Sequence, residues 1–215
     1  MRRGVAGVMG AICLPGGGCA LPGLHLYDRP NPNAGTPMEY TPLLEFWFHD
    51  HHQPLWFSRN DDFDAQCRHR FYPLWQAACR GELFHWRDTA RGRLAEIILL
   101  DQLSRNLNRN DARAWQQDGM ALILAQELVY QPMWHELNSN EQGVSLLPMM
   151  HAESRVIHQE TEWLFTTLNE PGFLKAEIKH RAIIDRFGRY PHRNSLMGRT
   201  STPEEVEWLK HNKGF

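Results

Sequence analysis

After Met38, apolar residues recur at helical spacing along most of this chain. Pro42 opens a segment carrying Leu43, Leu44, Phe46, Trp47 and Phe48, and proline suits the first turn of a helix. A second segment runs through Phe63, Cys67, Phe71, Leu74, Trp75 and Ala78 to Gly81. Asp61 or Asp62 is its expected cap, Gly81 its stop and Pro73 the place for a kink or break. Further helices are predicted near 91–107, 112–129, 141–150, 153–169, 173–187 and 203–212. The last has the cleanest start, because Ser201-Thr202-Pro203-Glu204-Glu205 puts proline in the first turn and acids at the positive end. No strand pair or hairpin turn stands out between these segments, and the stretch 27–42 is irregular in its Pro, Asn and Gly content. The pattern predicts an all-α fold of antiparallel helix pairs. A spacing of roughly 30 to 40 residues per pair would suit a repeat solenoid, although no repeat consensus recurs.

The helix faces carry the chemical question. On a helical wheel Ile97, Ile98, Leu99 and Leu100 point in four directions, which places that turn in the middle of the body. Asp101, Arg105, Asn108 and Arg109 then follow on the Leu94–Ile98 side, as a polar stripe leaving a buried helix. Asp101 and Arg105 stand at i,i+4, either as a surface pair or as the wall of a polar pocket. From position 153, Val156, Ile157, Trp163, Leu164 and Leu168 define an apolar arc with Glu153 and Glu160 near its centre. A carboxylate facing a core is costly unless it is paired. His180 lies among Ile183, Ile184 and Phe187 on the apolar face of the next helix. Acids and bases facing inward from separate helices predict an internal polar network.

The segment Arg186-Phe187-Gly188-Arg189-Tyr190-Pro191-His192-Arg193-Asn194 supplies the cations. Its arginines keep their charge at any working pH, so they either neutralise internal carboxylates or await an anionic ligand. With a net charge of -2 over 215 residues, no basic surface recommends a nucleic-acid partner, and no membrane partner is expected. Cys13, Cys19, Cys67 and Cys79 form no CxxC pair. A zinc site or disulfide framework is therefore not expected, and a reducing, cytoplasmic setting fits. His49-Asp50-His51-His52 lacks the spacing of a metal-ligand set, and no phosphate loop, nucleophile elbow or dinucleotide fingerprint occurs. No metal and no cofactor are expected. Arg2-Arg3 precedes a run interrupted by Gly4, Gly7, Gly10, Pro15 and Gly16, a composition opposed to a helical secretory core. Residues 1–37 are expected to be a disordered or mis-annotated extension ahead of a start at Met38, and 38–215 a single α-helical domain.

Five segments give the chain a resemblance. Leu44-Glu45-Phe46-Trp47-Phe48, Leu99-Leu100-Asp101-Gln102-Leu103-Ser104-Arg105-Asn106, His151-Ala152-Glu153, the arginine-rich segment above and Gly198-Arg199-Thr200-Ser201-Thr202-Pro203-Glu204-Glu205 together resemble DUF924, a bacterial helical family of unknown function. The resemblance covers about Thr41 to Phe215 and implies a tetratricopeptide-like fold. It brings no activity to transfer. Leu103-Ser104 stands where the family tends to have Phe-Pro, and Pro148-Met149-Met150 where it tends to have Pro-Phe-Met.

Three functions compete, and the first is the preferred reading. The first is a binding module whose pocket, lined by Asp101, Gln102, Arg105, Asn106, Glu153, Arg189, His192, Arg193 and Asn194, takes an anionic small molecule or a peptide carboxylate. The second is an enzyme using the same pocket for hydrolysis or isomerisation, with His151 or His192 as base, Glu153 or Asp101 as its partner, and Arg189 or Arg193 stabilising charge. The third is a scaffold that docks a protein and uses the polar cluster to stitch its helices.

Overall fold

The computed structural model describes residues 38–212 and 214, so the expectation for residues 1–37 lies outside the described residues. From Met38 onward the chain forms one compact unit. Among the described residues there is no strand, and the all-α expectation holds.

Helix α1 spans Thr41–Trp47 and α2 Asp61–Cys79. Asn60, rather than Asp61 or Asp62, caps α2 by accepting from the Phe63 amide, leaving Asp61, Asp62 and Asp64 in the positive first turn. Pro73 does not break α2, which runs unbroken to Cys79. Its packing against the segments that follow α3 outweighs the lost backbone bond. Gly81 stops the chain just beyond, at φ +71°.

Helix α3, Ala90–Ile98, is the axis of the body, packing on α1, on α5 (Asp118–Val129) and on α6 (Ser139–Ser145). Leu94, Ala95, Ile97, Ile98, Leu99 and Leu100 are all at most 1% exposed, as their all-round apolar pattern requires. Gly92 fits α3 against the preceding turn, where a Cβ would lie 2.0 Å from the Trp86 carbonyl oxygen. Glu96 is fully buried in the same helix and is gripped by the Arg87 fork through two 2.7 Å bonds. An aromatic cluster closes the N-terminal side: Trp47 stacks on Trp56 at 5.7 Å, and Phe46 on Phe63 at 5.5 Å. Cys67 and Cys79 are free thiols, and Cys67, wholly buried here, has its pKa pushed up to about 12 by burial.

Several predicted helices are divided. The 91–107 segment contains a π turn, Leu99–Leu103, before the short α4, Ser104–Leu107. The 112–129 segment begins as a 3₁₀ turn, Ala112–Ala114, and the 141–150 segment breaks at Leu146 before α7, Leu147–Met150. Helices α8, Arg155–Thr167, and α9, Pro171–Phe187, pack along each other. Ser154 caps α8, so Glu153 lies in the preceding turn and not on its apolar face. The expected apolar arc is displaced as well. Val156, Glu160 and Trp163 are exposed, and the buried stripe is His158, Thr161, Leu164 and Phe165. Helix α10, Pro203–Leu209, starts where the sequence sets it, with Thr202 and Glu205 forming a reciprocal capping box.

Candidate functional site

The π turn is where the site begins. A π turn inserts one residue into a helix and re-aims the side chains that follow, and such turns are frequent at functional sites. Here it carries Asp101, 1% exposed, whose two oxygens lie 2.8 and 3.0 Å from His151 Nδ1. The Gln102 side-chain amide donates to the same carboxylate. Arg105 stands 3.0 Å from Asp101 Oδ1 and donates to the Asp101 carbonyl at 2.6 Å. Burial opposes charge on Asp101, yet Arg105, His151 and Gln102 outweigh it and hold the carboxyl well below its usual range. Burial depresses the His151 imidazole more than Asp101 raises it. Asp101 is therefore ionised and His151 neutral at pH 7, with the ring proton on Nδ1 facing the carboxylate and the lone pair on Nε2.

Two guanidiniums form the rim. Asp118, in the first turn of α5, lies 3.1 Å from Arg105 through each of its oxygens and 3.1 Å from Arg193 through Oδ2. Arg193, 5% exposed, also donates to the His151 carbonyl at 3.2 Å. Its guanidinium sits 4.5 Å from the Tyr190 ring centroid and 5.6 Å from that of Trp115. The side chains of Arg105, Asp118 and His151 keep 20%, 21% and 13% of their surface, so this edge of the cluster meets solvent.

Tyr190 joins this group to the next. Its hydroxyl donates to the Met150 carbonyl at 2.6 Å, and its ring meets the His180 ring edge-on at 5.8 Å. His180 packs 5.8 Å from the His151 ring and donates through Nδ1 to the Ala176 carbonyl at 2.8 Å. Burial takes its pKa down to about 3. His158, fully buried, sets Nδ1 2.6 Å from Glu177 and Nε2 3.0 Å from the Ala152 carbonyl. His192, near Trp115 and Tyr190, is lowered to about 4 by burial.

The sequence-derived residues thus divide. Asp101, Gln102, Arg105, His151 and Arg193 converge on one spot. Glu153 adjoins it, held by the Arg199 fork at 2.5 and 2.9 Å and by the Tyr190 amide at 2.7 Å. Arg189 and Asn194 belong elsewhere: Arg189 clamps Glu205 at 2.6 and 2.7 Å, and Asn194 bonds Ser201 and Glu205, so both secure α10. Asn106 turns toward α2 and donates to Asp64 at 2.7 Å, as does Arg109. Sequence reasoning missed Asp118, Trp115, His158, Glu177 and the structural part of Tyr190. Only Tyr190 carried a signal, through its place in the arginine-rich segment. Among the described residues, no three His, Cys, Asp or Glu side chains gather as metal ligands, and no helix is long and apolar enough to cross a membrane.

A family model described as a bacterial protein of unknown function, DUF924, matches residues 43–213. The chain belongs to the DUF924 family. No curated protein matches this chain. It is similar to the solved structure of ATU0120, a protein of unknown function from Agrobacterium tumefaciens, at 32% identity and a TM-score of 0.75, over 80% of this chain and 97% of that one. The two segments expected to depart from the family pattern have local readings. The Ser104 hydroxyl accepts from the buried Trp75 indole at 2.9 Å. The Pro148-Met149-Met150 segment reaches the site through the Met150 carbonyl, a contact that does not depend on which side chains it carries.

Proposed function

We infer that this DUF924 chain is an acid–base enzyme acting at His151. The observation that supports this best is the Asp101–His151 pair: a buried carboxylate on Nδ1 and a neutral ring at the solvent edge. A carboxylate on one nitrogen fixes the tautomer and orients the other nitrogen as a general base. Arg105 shares the Asp101 carboxylate with His151, and Arg193 donates to the His151 carbonyl, so both supply positive charge that can stabilise an anion developing as a proton is removed. The helical body, in the tetratricopeptide-like arrangement implied by the family, serves as the frame, and the cytoplasmic setting is retained. Anion binding on its own has weaker support, because Arg105, Arg189, Arg193 and Arg199 each already meet a carboxylate. A docking scaffold draws only on individual exposed apolar side chains among the described residues, such as Tyr130, Val156 and Trp163.

The test is turnover across a panel of ester, amide and isomerisable substrates by wild type and His151→Gln. Turnover of the responsive substrate should fall by about 10²–10⁴-fold in the variant, with the melting transition retained. The wild-type kcat/KM should also fall as pH drops below 6.5, when His151 takes up a proton, and the variant should lack that limb. Equal turnover in both proteins would remove His151 from the chemistry.

A further inference from the structure

We propose that Asp118 occupies the seat of a substrate carboxylate, which makes the substrate of this site a small carboxylic acid. The inference rests on the site reading above and names the ligand class.

Three observations carry it. First, Asp118 sits at the long end of the ion pairs. Its contacts with Arg105 and Arg193 are all 3.1 Å, whereas the buried carboxylates Glu96 and Glu205 are gripped at 2.7 Å and at 2.6 and 2.7 Å, and the partly exposed Arg91 fork on Glu141 stands between, at 2.9 and 3.1 Å. Bonds between a charged donor and a carboxylate normally fall at about 2.7–2.9 Å. Second, hydrogen-bonding capacity is unused on both sides of the contact. Asp118 Oδ1 has no hydrogen bond, its approach to Arg105 being off-angle, and neither does Nε of Arg193, a side chain 6% exposed. Buried polar groups are rarely left so, and two in one ion cluster point to a group the cluster is shaped to receive. Third, Asp118 can leave. It sits in the first turn of α5 with 21% of its side chain exposed, so it can swing into water.

Exchange conserves charge. The Asp118 carboxylate moves to solvent, and a ligand carboxylate takes its place between two guanidiniums whose other contacts, to the Asp101 and His151 carbonyls, remain. The bidentate fork of arginine matches a planar carboxylate, which is the shape the slot already holds. The rest of the ligand then lies beside His151. No bond is made or broken in this step.

The experiment is isothermal titration calorimetry with acetate as probe, inorganic phosphate as the competing oxyanion and sodium chloride as the ionic-strength control. Wild type should bind acetate weakly, Asp118→Asn at least about tenfold more tightly because the internal competitor is gone, and Asp118→Asn with Arg193→Lys not at all. Glu205→Gln, which frees Arg189 in the same way, should show no such gain. Equal acetate affinity in wild type and Asp118→Asn, or no binding in either, overturns the proposal. A gain for phosphate but not acetate overturns the ligand class. If Asp118→Asn fails to fold, the wild-type protein decides: acetate should move the Asp118 carboxyl and Arg193 Nε–H resonances together, and unmoved resonances count against it. His151→Gln should keep acetate binding, so a failure of the catalytic reading and a failure of the carboxylate seat are told apart.

Discussion

Arg105→Met is expected to cost about 3–5 kcal/mol of stability, the range for stripping the partner from a buried charge. Asp101 is 1% exposed and sits in an apolar section of the body, between Leu100 and Leu103. With Arg105 gone, a neutral imidazole and the Gln102 amide are all that face it. The carboxyl can then stay ionised at high cost or take a proton, and either route weakens the fold. Urea titrations should show the midpoint fall with little change in slope. For a domain whose total stability is typically about 5–15 kcal/mol, that is a large share. Asp101→Asn should recover part of the loss in the Arg105→Met background, because the charge needing a partner has been removed. Arg59→Met, on a pair with side chains 65% and 81% exposed, should change stability by less than about 0.5 kcal/mol. Comparable losses at Arg59 and Arg105 would show that Asp101 depends no more on its partner than a surface carboxylate does.

Mild acid should destabilise the protein, and the histidines should act first. His180 titrates near 3 and His192 near 4 in the fold, both held down mainly by burial, against 6.5 for a free imidazole. The charged form is thus favoured in the unfolded chain, which binds more protons between pH 6.5 and those lower values. Stability is fully present above 6.5 and is lost as pH falls below it. For His180 alone the slope is about 1.4 kcal/mol per pH unit, and His192 and His151 act in the same direction. The carboxylates contribute lower down. Glu205, held near 2 by the Arg189 fork despite its burial, gives stability that is present above 4.5 and lost as pH falls towards 2. Urea midpoints should therefore already decline between pH 7 and 6, above the window of Glu205, and continue to fall at pH 5, and His180→Gln should flatten the decline. A midpoint unchanged between pH 7 and 5 would mean these rings are not buried as neutral bases.

The sequence made the helical fold legible because periodicity is a local property. The Leu94–Leu100 run declared its burial through apolar residues on every side, and Ser201–Glu205 declared a helix start through its capping chemistry. Asp101 and Arg105 were readable as a pair for the same reason, being four residues apart on one helix. Glu153 was misplaced because a wheel at 100° per residue continues a helix through Ser154, where the chain in fact turns. The π turn was equally invisible, since nothing in Leu99–Leu103 announces an extra residue per turn. Partners brought from afar could not be read at all. Asp118 meets Arg193, and His158 meets Glu177, through packing of helices that no single segment encodes. The arginines of the 186–194 segment show the same limit. Their charge predicted carboxylate partners, but Arg186, Arg189 and Arg193 go to Glu204, Glu205 and Asp118 respectively, and only the last belongs to the site.

The state of the His151 ring bears most directly on whether this cluster can act as a base, and long-range ¹H–¹⁵N correlation spectra of the wild-type protein at pH 7 report it. A neutral ring with its proton on Nδ1 and a bare, basic Nε2 is the predicted result, changing to the opposite tautomer or a mixture in Asp101→Asn. A doubly protonated ring at pH 7, or a proton resident on Nε2 in the wild type, would contradict it.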